Sequence, residues 1–160
     1  MMIRQIKPSD NPVLAQIIRA SLEEAKLALP GTAYFDASLD NLSEFYLAKP
    51  GRCYFVLEEE GQVLGGAGVA EFDSANKIAE LQKLYLTTEA RGQGLSKLLL
   101  GKCEQFAQAA GYHGLYLESH HNLQVALQLY ERMGYRSCQG LAGSEHSLMD
   151  RFFVKELSRK

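Results

Sequence analysis

The sequence predicts a mixed α/β domain with a mainly antiparallel central sheet flanked by helices, in the order β-α-α-β-β-β-α-β-α-β-β. Three observations carry this. Short apolar runs bounded by turn residues, such as 53–58 and 78–86, read as strands. Longer stretches with apolar residues at helical spacing, such as 95–110, read as amphipathic helices. Strand–helix–strand units occupy the middle of the chain, and hairpin signals lie on either side of them. At 160 residues, with no internal repeat or low-complexity linker, the whole chain 1–160 reads as one domain with a full core.

In order, residues 2–7 form a short strand ending at Pro8. Ser9 or Asp10 can cap a helix with Pro12 in its first turn. Val13, Leu14, Ile17, Ile18, Leu22 and Ala25 mark its apolar face to about Leu27, and Leu29-Pro30-Gly31 stops it. Residues 32–38 read as loop, and Leu39, Leu42 and Tyr46 suggest a short second helix. Lys49-Pro50-Gly51 leads into a strand over 53–58, and Glu60-Gly61 is a hairpin signal. The next strand, 62–72, is interrupted by Gly65, Gly66 and Gly68, and 78–86 pairs after a further turn. A glycine-rich turn and a helix follow, with Leu95, Leu98, Leu99, Cys103, Phe106 and Ala110 on one face and Ala110-Gly111 as its stop. Residues 115–118 are a strand, 123–133 a helix closed by Gly134, and 135–138 strand-like. Residues 141–150 are a polar loop, and 151–157 a final strand.

Composition bounds the function. The chain is 46% hydrophobic and 22% charged, ordinary for a soluble globular protein. A net charge of −2 offers no basic surplus for nucleic acid. Cys53, Cys103 and Cys138 are an odd set without a Cys-x-x-Cys, so neither a disulfide framework nor a zinc site is suggested, which favours the reducing cytoplasm. The first residues lack a signal-peptide h-region and no apolar run approaches a membrane span, so no membrane partner is expected. His120-His121 has no third ligand at a persuasive spacing, and no metal is expected.

The stretch Glu80-Leu-Gln-Lys-Leu-Tyr-Leu-Thr-Thr-Glu-Ala-Arg-Gly-Gln-Gly-Leu-Ser96 organises the rest. It reads as strand, glycine-rich turn and helix start. Gly92 and Gly94 allow unusual dihedrals and close approach of a ligand. The helix start offers unpaired N–H groups and a partial positive charge, which suits a pyrophosphate. The nucleotide P-loop spacing is absent, and Lys97 occupies the third glycine position of a dinucleotide fingerprint. Arg91-x-x-Gly94-x-Ser96 fits Arg-x-x-Gly-x-Gly/Ala. Together with the preceding strand, this resembles the acyl-coenzyme A site of the GNAT N-acetyltransferase superfamily, although Ser96 departs from the usual Gly or Ala. The order of elements also resembles the GNAT fold over nearly the whole chain.

A second stretch, Ala126-Leu-Gln-Leu-Tyr130-Glu-Arg-Met-Gly134-Tyr135, resembles the Ala-x-x-Leu-Tyr-x-x-x-Gly-Phe/Tyr signature of the same superfamily. The resemblance implies acetyl-CoA as cosubstrate and Tyr130 as the general acid for the leaving thiolate; a phenol of ordinary pKa ~10 can protonate it. Taken alone, Tyr130 is a core-edge aromatic. The resemblance further implies that Leu84, Tyr85 and Leu86 bind the pantetheine arm. Gly92, Gln93, Gly94, Leu95, Ser96 and Lys97 would meet the pyrophosphate, with Arg91 and Lys97 adding charge. It places the oxyanion donor on the main chain at Tyr85 to Leu86, at a strand bulge. Many members carry a coenzyme-contacting asparagine three residues before the alanine. That position is Leu123 here, so Asn122 either takes the contact or caps the helix.

Glu80 resembles the base of histone-acetylating members. Strict alternation would put Glu80, Gln82, Leu84 and Leu86 on one face unless a bulge intervenes. The alternative is a sheet-edge carboxylate paired with Lys83 or Lys77. His146 and Asp150, four apart and followed by Arg151-Phe152-Phe153, resemble the ending of some small GNAT proteins. His146 would act as a base or bind an acceptor carboxylate; a self-bonded surface loop is the plain alternative. Neither Cys103 nor Cys138 has the context of a nucleophile.

The sequence therefore reads as an N-acetyltransferase moving an acetyl group from acetyl-CoA to a primary amine of a small molecule or peptide by direct attack. A homodimer is common for this resemblance. Two rivals are a non-catalytic acyl-CoA-binding sensor domain and a nucleotide-binding α/β domain. The second lacks an acidic residue for a ribose about twenty positions past the turn.

Overall fold

The computed structural model describes residues 1–141 and 146–157. Its strands are β1 (Met2–Gln5), β2 (Cys53–Glu59), β3 (Gln62–Asp73), β4 (Ile78–Leu86), β5 (Gly114–Ser119), β6 (Arg136–Ser137) and β7 (Arg151–Glu156). Its helices are α1 (Asn11–Glu24), α2 (Leu42–Tyr46), α3 (Leu95–Ala109) and α4 (Gln124–Arg132), and short 3-10 turns cover Ala33–Phe35 and Leu39–Asn41. The strands make one seven-stranded sheet, β1-β2-β3-β4-β5-β7-β6, antiparallel except between β4 and β5. The expected element order holds throughout.

Each face of the sheet has its own core. One lies under α3 and α4, with Val69, Leu81, Leu99, Cys103 and Leu117 all 5% exposed or less. The other lies under α1 and α2, built on Leu14, Ile18, Leu22, Tyr46 and Tyr54. Leu99 is completely buried, so its truncation to alanine costs about 2–5 kcal/mol. The buried stripe of α3 is Leu95, Leu99, Leu100, Cys103 and Ala107. Leu98, expected on that stripe, is 52% exposed instead, because Leu100 takes the inward position beside Leu99.

Two irregularities of β4 shape the molecule. First, β4 and β5 pair only from Ile78↔Gly114 to Glu80↔Tyr116 and then part, while β5 stays on β7 as far as Ser119↔Arg151. Second, the β3–β4 register jumps from Gly66↔Tyr85 to Gly68↔Gln82. Lys83 and Leu84 thus oppose the single residue Ala67, and Lys83 takes a left-handed φ of 53°. A bulge of this kind bends and twists its strand, and here it coincides with the parting from β5. It also exchanges the faces. Ala79 and Leu81 before it, and Leu84 and Leu86 after it, belong to the α3 side, whereas Tyr85 joins the α1 side.

Candidate active site

The glycine turn lies where β4 ends. Gly92 and Gly94 both have φ of 76°, and a Cβ on either would meet nothing within 4 Å. Packing does not require glycine there; the backbone conformation does, and the open space leaves room for a ligand against the main chain. Gly94 is the left-handed cap of α3 and carries no side-chain cap. The first helical bond shown from the cap is Leu98 N to the Gly94 carbonyl. The N–H groups of Leu95, Ser96 and Lys97 thus precede the intrahelical ladder and present the positive end of a 15-residue helix. Among the described residues, Thr87 Oγ1, just past Leu86, is the buried side-chain oxygen left without a partner. The main chain, the helix start and that orphaned hydroxyl together fit the phosphate and amide groups of a coenzyme A.

Several predicted residues are engaged in holding this frame. Arg91 donates to the Leu86 carbonyl (3.2 Å) and pairs with Glu24 of α1 (2.7 Å), so its guanidinium ties the turn to α1. Gln93 donates to the Glu89 carbonyl across the turn. Asn122 does not cap α4: the cap residue is Leu123, without a side-chain bond. The Asn122 amide instead donates to the Ala25 carbonyl at the end of α1 (3.0 Å), because the β5–α4 connection folds against that helix end.

Tyr130 lies on α4, 6% exposed, with Tyr135 and Phe153 rings 6.0 and 5.9 Å away. Burial pushes its phenol well above the usual range, with Tyr85 and Cys103 adding to the shift. Tyr85 is likewise pushed up to about 12 by burial.

On the α1 side, Glu80, Gln82, Lys83, Tyr85, Glu118 and His146 line a cavity of about 60 Å³. The bulge changes the facing expected from strict alternation: Glu80 and Gln82 are joined here by Tyr85, not by Leu84 and Leu86. Glu80 accepts from Gln82 Nε2 at 2.7 Å, so the carboxylate is bound to its neighbour on the strand and not to Lys77 or Lys83. Burial raises the Glu80 carboxyl above the ordinary range and the nearby Glu118 adds to this, while the Gln82 bond opposes it. Glu118 is a residue that sequence reasoning missed. Its Oε2 accepts from Tyr116 Oη at 2.7 Å. The signal was available: β4 and β5 are parallel neighbours, and Glu118 lies two residues past the position paired with Glu80.

His146 and Asp150 do not act together. His146 Nε2 lies 3.0 Å from both oxygens of Asp36, which also accepts from Lys83 (3.3 Å). Burial opposes the Asp36 charge, but His146 and Lys83 outweigh it and hold the carboxyl below its usual range. Asp150 instead bonds His121, through the backbone N–H (3.0 Å) and Nδ1 (2.5 Å). Of the polar loop, residues 142–145 lie outside the described residues. The fold therefore brings Asp150 to His120 and His121 as a third group able to ligate a metal. However, His120 Nδ1 accepts the Asn122 N–H at 3.1 Å. The bonds of Asp150 to His121 tie the residue before β7 to the end of β5.

A larger hollow, about 540 Å³, lies at the opposite end of β4 and β5 beside Ile78 and Gly114. None of the candidate catalytic, coenzyme or acceptor residues lines it. No helix among the described residues is long and apolar enough to cross a membrane.

Comparison with known proteins places this geometry. Residues 15–135 match the acetyltransferase (GNAT) family. The chain is 38% identical over 135 residues to YjgM, an uncharacterised N-acetyltransferase of Escherichia coli K12, covering 83% of this chain and 80% of that one. It also matches human N-acetyltransferases 8B and 8, of whose length it spans only 59% and 50%. A GNAT acetyltransferase structure from Staphylococcus aureus Mu50 superposes with a TM-score of 0.85 at 19% identity, covering 98% and 99% of the two chains. The acetyltransferase YncA of Salmonella typhimurium, solved with acetyl-CoA, superposes with a TM-score of 0.79 at 21% identity, covering 100% and 95%. The chain belongs to the GNAT acetyltransferase family and is an acyltransferase of that family.

Proposed function

We propose that this enzyme transfers an acetyl group from acetyl-CoA to a primary amine of a small molecule or peptide, by direct attack within a ternary complex. The observation that carries the proposal is the parting of β4 from β5 immediately before the glycine turn. Past Glu80 the two strands are unpaired, and in this reading the acyl arm enters between them, with Glu80 toward the acceptor and Tyr130 of α4 toward the leaving sulfur. That YncA was solved with acetyl-CoA supports the choice of acyl donor.

In this reading the main chain of Gly92, Gln93 and Gly94 and the first N–H groups of α3 hold the pyrophosphate, with Lys97 adding charge. The end of β4, Leu84 to Leu86, pairs with the pantetheine arm. We place the oxyanion donor at the bulge of Lys83 and Leu84, which together oppose Ala67, just before the Tyr85 to Leu86 stretch expected from the sequence. Glu80 accepts the ammonium proton of the acceptor, directly or through water. Its raised pKa brings it closer to that task at neutral pH. Glu118 faces the same cavity and helps to attract the cationic amine. Tyr130 keeps its proton through the neutral range and gives it to the departing thiolate. Asp36 fixes His146 at the acceptor end.

No covalent acyl-enzyme is invoked. Cys103 is completely buried, and burial raises its thiol well above the usual range; a thiolate nucleophile needs the opposite. The three free thiols fit a reducing cytoplasm. The test is steady-state release of free coenzyme A with a panel of primary amines. Intersecting double-reciprocal lines are expected. Parallel lines, the signature of a covalent intermediate, would contradict direct attack. Tight binding of acetyl-CoA without turnover on any amine would support the sensor reading instead.

A further inference from the structure

The left-handed Lys83 needs a cause, because a non-glycine residue holds that conformation only where its surroundings over-determine it. The cause comes from two strands away. Tyr54 starts on β2, is 1% exposed, and donates its hydroxyl to the Lys83 carbonyl on β4 at 2.8 Å. It can pass β3 because β3 has glycine there. A Cβ on Gly66 would lie 2.4 Å from the Tyr54 ring, and one on Gly68 would lie 2.7 Å from it. Tyr46 of α2 shares this window, its ring centroid 5.1 Å from that of Tyr54. The Tyr46 hydroxyl donates to Gln82 Oε1 at 2.7 Å, and Gln82 in turn donates to Glu80. Two buried phenols thus grip consecutive residues, Lys83 in the bulge by its main chain and Gln82 just before it by its side chain.

A trans peptide is planar, with its C=O and N–H pointing in opposite directions. Fixing the Lys83 carbonyl on Tyr54 therefore fixes the Leu84 N–H as well, on the side away from Tyr54. We propose that Tyr54 is a positioning residue whose hydroxyl locks the Lys83–Leu84 peptide so that the Leu84 N–H donates to the thioester carbonyl of acetyl-CoA between β4 and β5. This rests on the acetyltransferase reading above. Tyr54 touches neither substrate. It acts by keeping a donor aimed in advance, which is where main-chain groups contribute most to a developing oxyanion.

The experiment needs no acceptor. Acetyl-CoA labelled with ¹³C at the thioester carbonyl is bound to the wild type, Tyr54→Phe and Tyr46→Phe, and the carbonyl stretch is followed by isotope-edited infrared difference spectroscopy. The Kd and the thermal midpoint are measured on each protein. The wild type is expected to move the band to lower frequency. Tyr54→Phe is expected to bind with unchanged Kd and to lose that shift, whereas Tyr46→Phe, which leaves the Lys83 carbonyl held, keeps it. Should Tyr54→Phe fold poorly, its spectrum is taken with acetyl-CoA at a temperature below its measured thermal midpoint, where the same loss of shift is expected. A full shift in Tyr54→Phe overturns the proposal, as does loss of shift and affinity together. A wild type that binds acetyl-CoA without any shift overturns the donor. A wild type that does not bind acetyl-CoA removes the acetyltransferase reading itself.

Discussion

In the proposed site, the coenzyme half is main chain, at Gly92, Gly94 and the first N–H groups of α3, and the neighbouring Arg91 side chain is turned to Leu86 and Glu24. On the acceptor side, the surface is made of charged and polar side chains, among which Glu80 is bonded to Gln82, and Asp36 to His146 and Lys83. The difference is instructive. A pyrophosphate is an invariant part of the donor, and backbone amides at a helix start recognise it whatever the side chains are. An acceptor varies, and only side chains can be changed to suit it. The division also separates the expected phenotypes: damage to the first side acts on coenzyme affinity, and damage to the second acts on the acceptor and its proton.

Substitutions sharpen that contrast, in descending order of effect. Tyr130→Phe removes only a hydroxyl and should lower kcat about 10²–10³-fold with the Kd for acetyl-CoA unchanged, measured by steady-state kinetics and calorimetry. An equal loss of affinity would return Tyr130 to a packing role. Glu80→Gln should lower kcat/KM for the amine about 10²-fold. It should also abolish an acid limb that, in the wild type, lies above the ordinary glutamate range. The same residue gives a stability test. Its carboxyl binds protons more tightly folded than unfolded, so its contribution to stability is present below the unfolded pKa and is lost as pH rises through the folded one. Glu80→Gln should therefore gain stability relative to wild type as pH rises through the window above about 4.5, read by denaturant titration at several pH values.

Smaller effects follow at the edges. His146→Ala should raise KM for the acceptor about 10-fold and leave KM for acetyl-CoA alone. A change in the coenzyme KM instead would break the proposed division. Arg91→Ala removes a half-exposed pair to Glu24 and the bonds to Leu86. Its cost should be about 1 kcal/mol in stability, with only a few-fold loss of acetyl-CoA affinity.

The strand, turn and helix start of the proposed coenzyme half were legible in the sequence because their signals are local, whereas the tertiary partners of Arg91 and Asn122 were not. Strand Ile78–Leu86, two glycines and an amphipathic helix follow one another directly, and each has the conformation its residues favour. The acceptor half was not, because its geometry is tertiary. Nothing local to Lys83 announces a bulge; the cause lies in Tyr54 and the glycines of β3, which sequence reading took merely as interruptions of a strand. That bulge is what brings Tyr85 round to join Glu80 and Gln82. His146 and Asp150 looked paired at four residues apart, yet each found a distant partner, Asp36 and His121. Glu118 escaped notice because its meaning depends on β5 lying beside β4.

The central claim is that the glycine turn at the end of β4 binds acetyl-CoA. Isothermal titration of acetyl-CoA, NAD and ATP into the wild type and Gly94→Val tests it most directly. Valine at a φ of 76° is strained and places its branches where the pyrophosphate would approach. We predict binding of acetyl-CoA alone, weakened at least about 100-fold in Gly94→Val, equivalent to about 2.7 kcal/mol, while circular dichroism shows the variant folded. Undiminished affinity in a folded Gly94→Val, or binding of NAD or ATP in place of acetyl-CoA, would contradict the account.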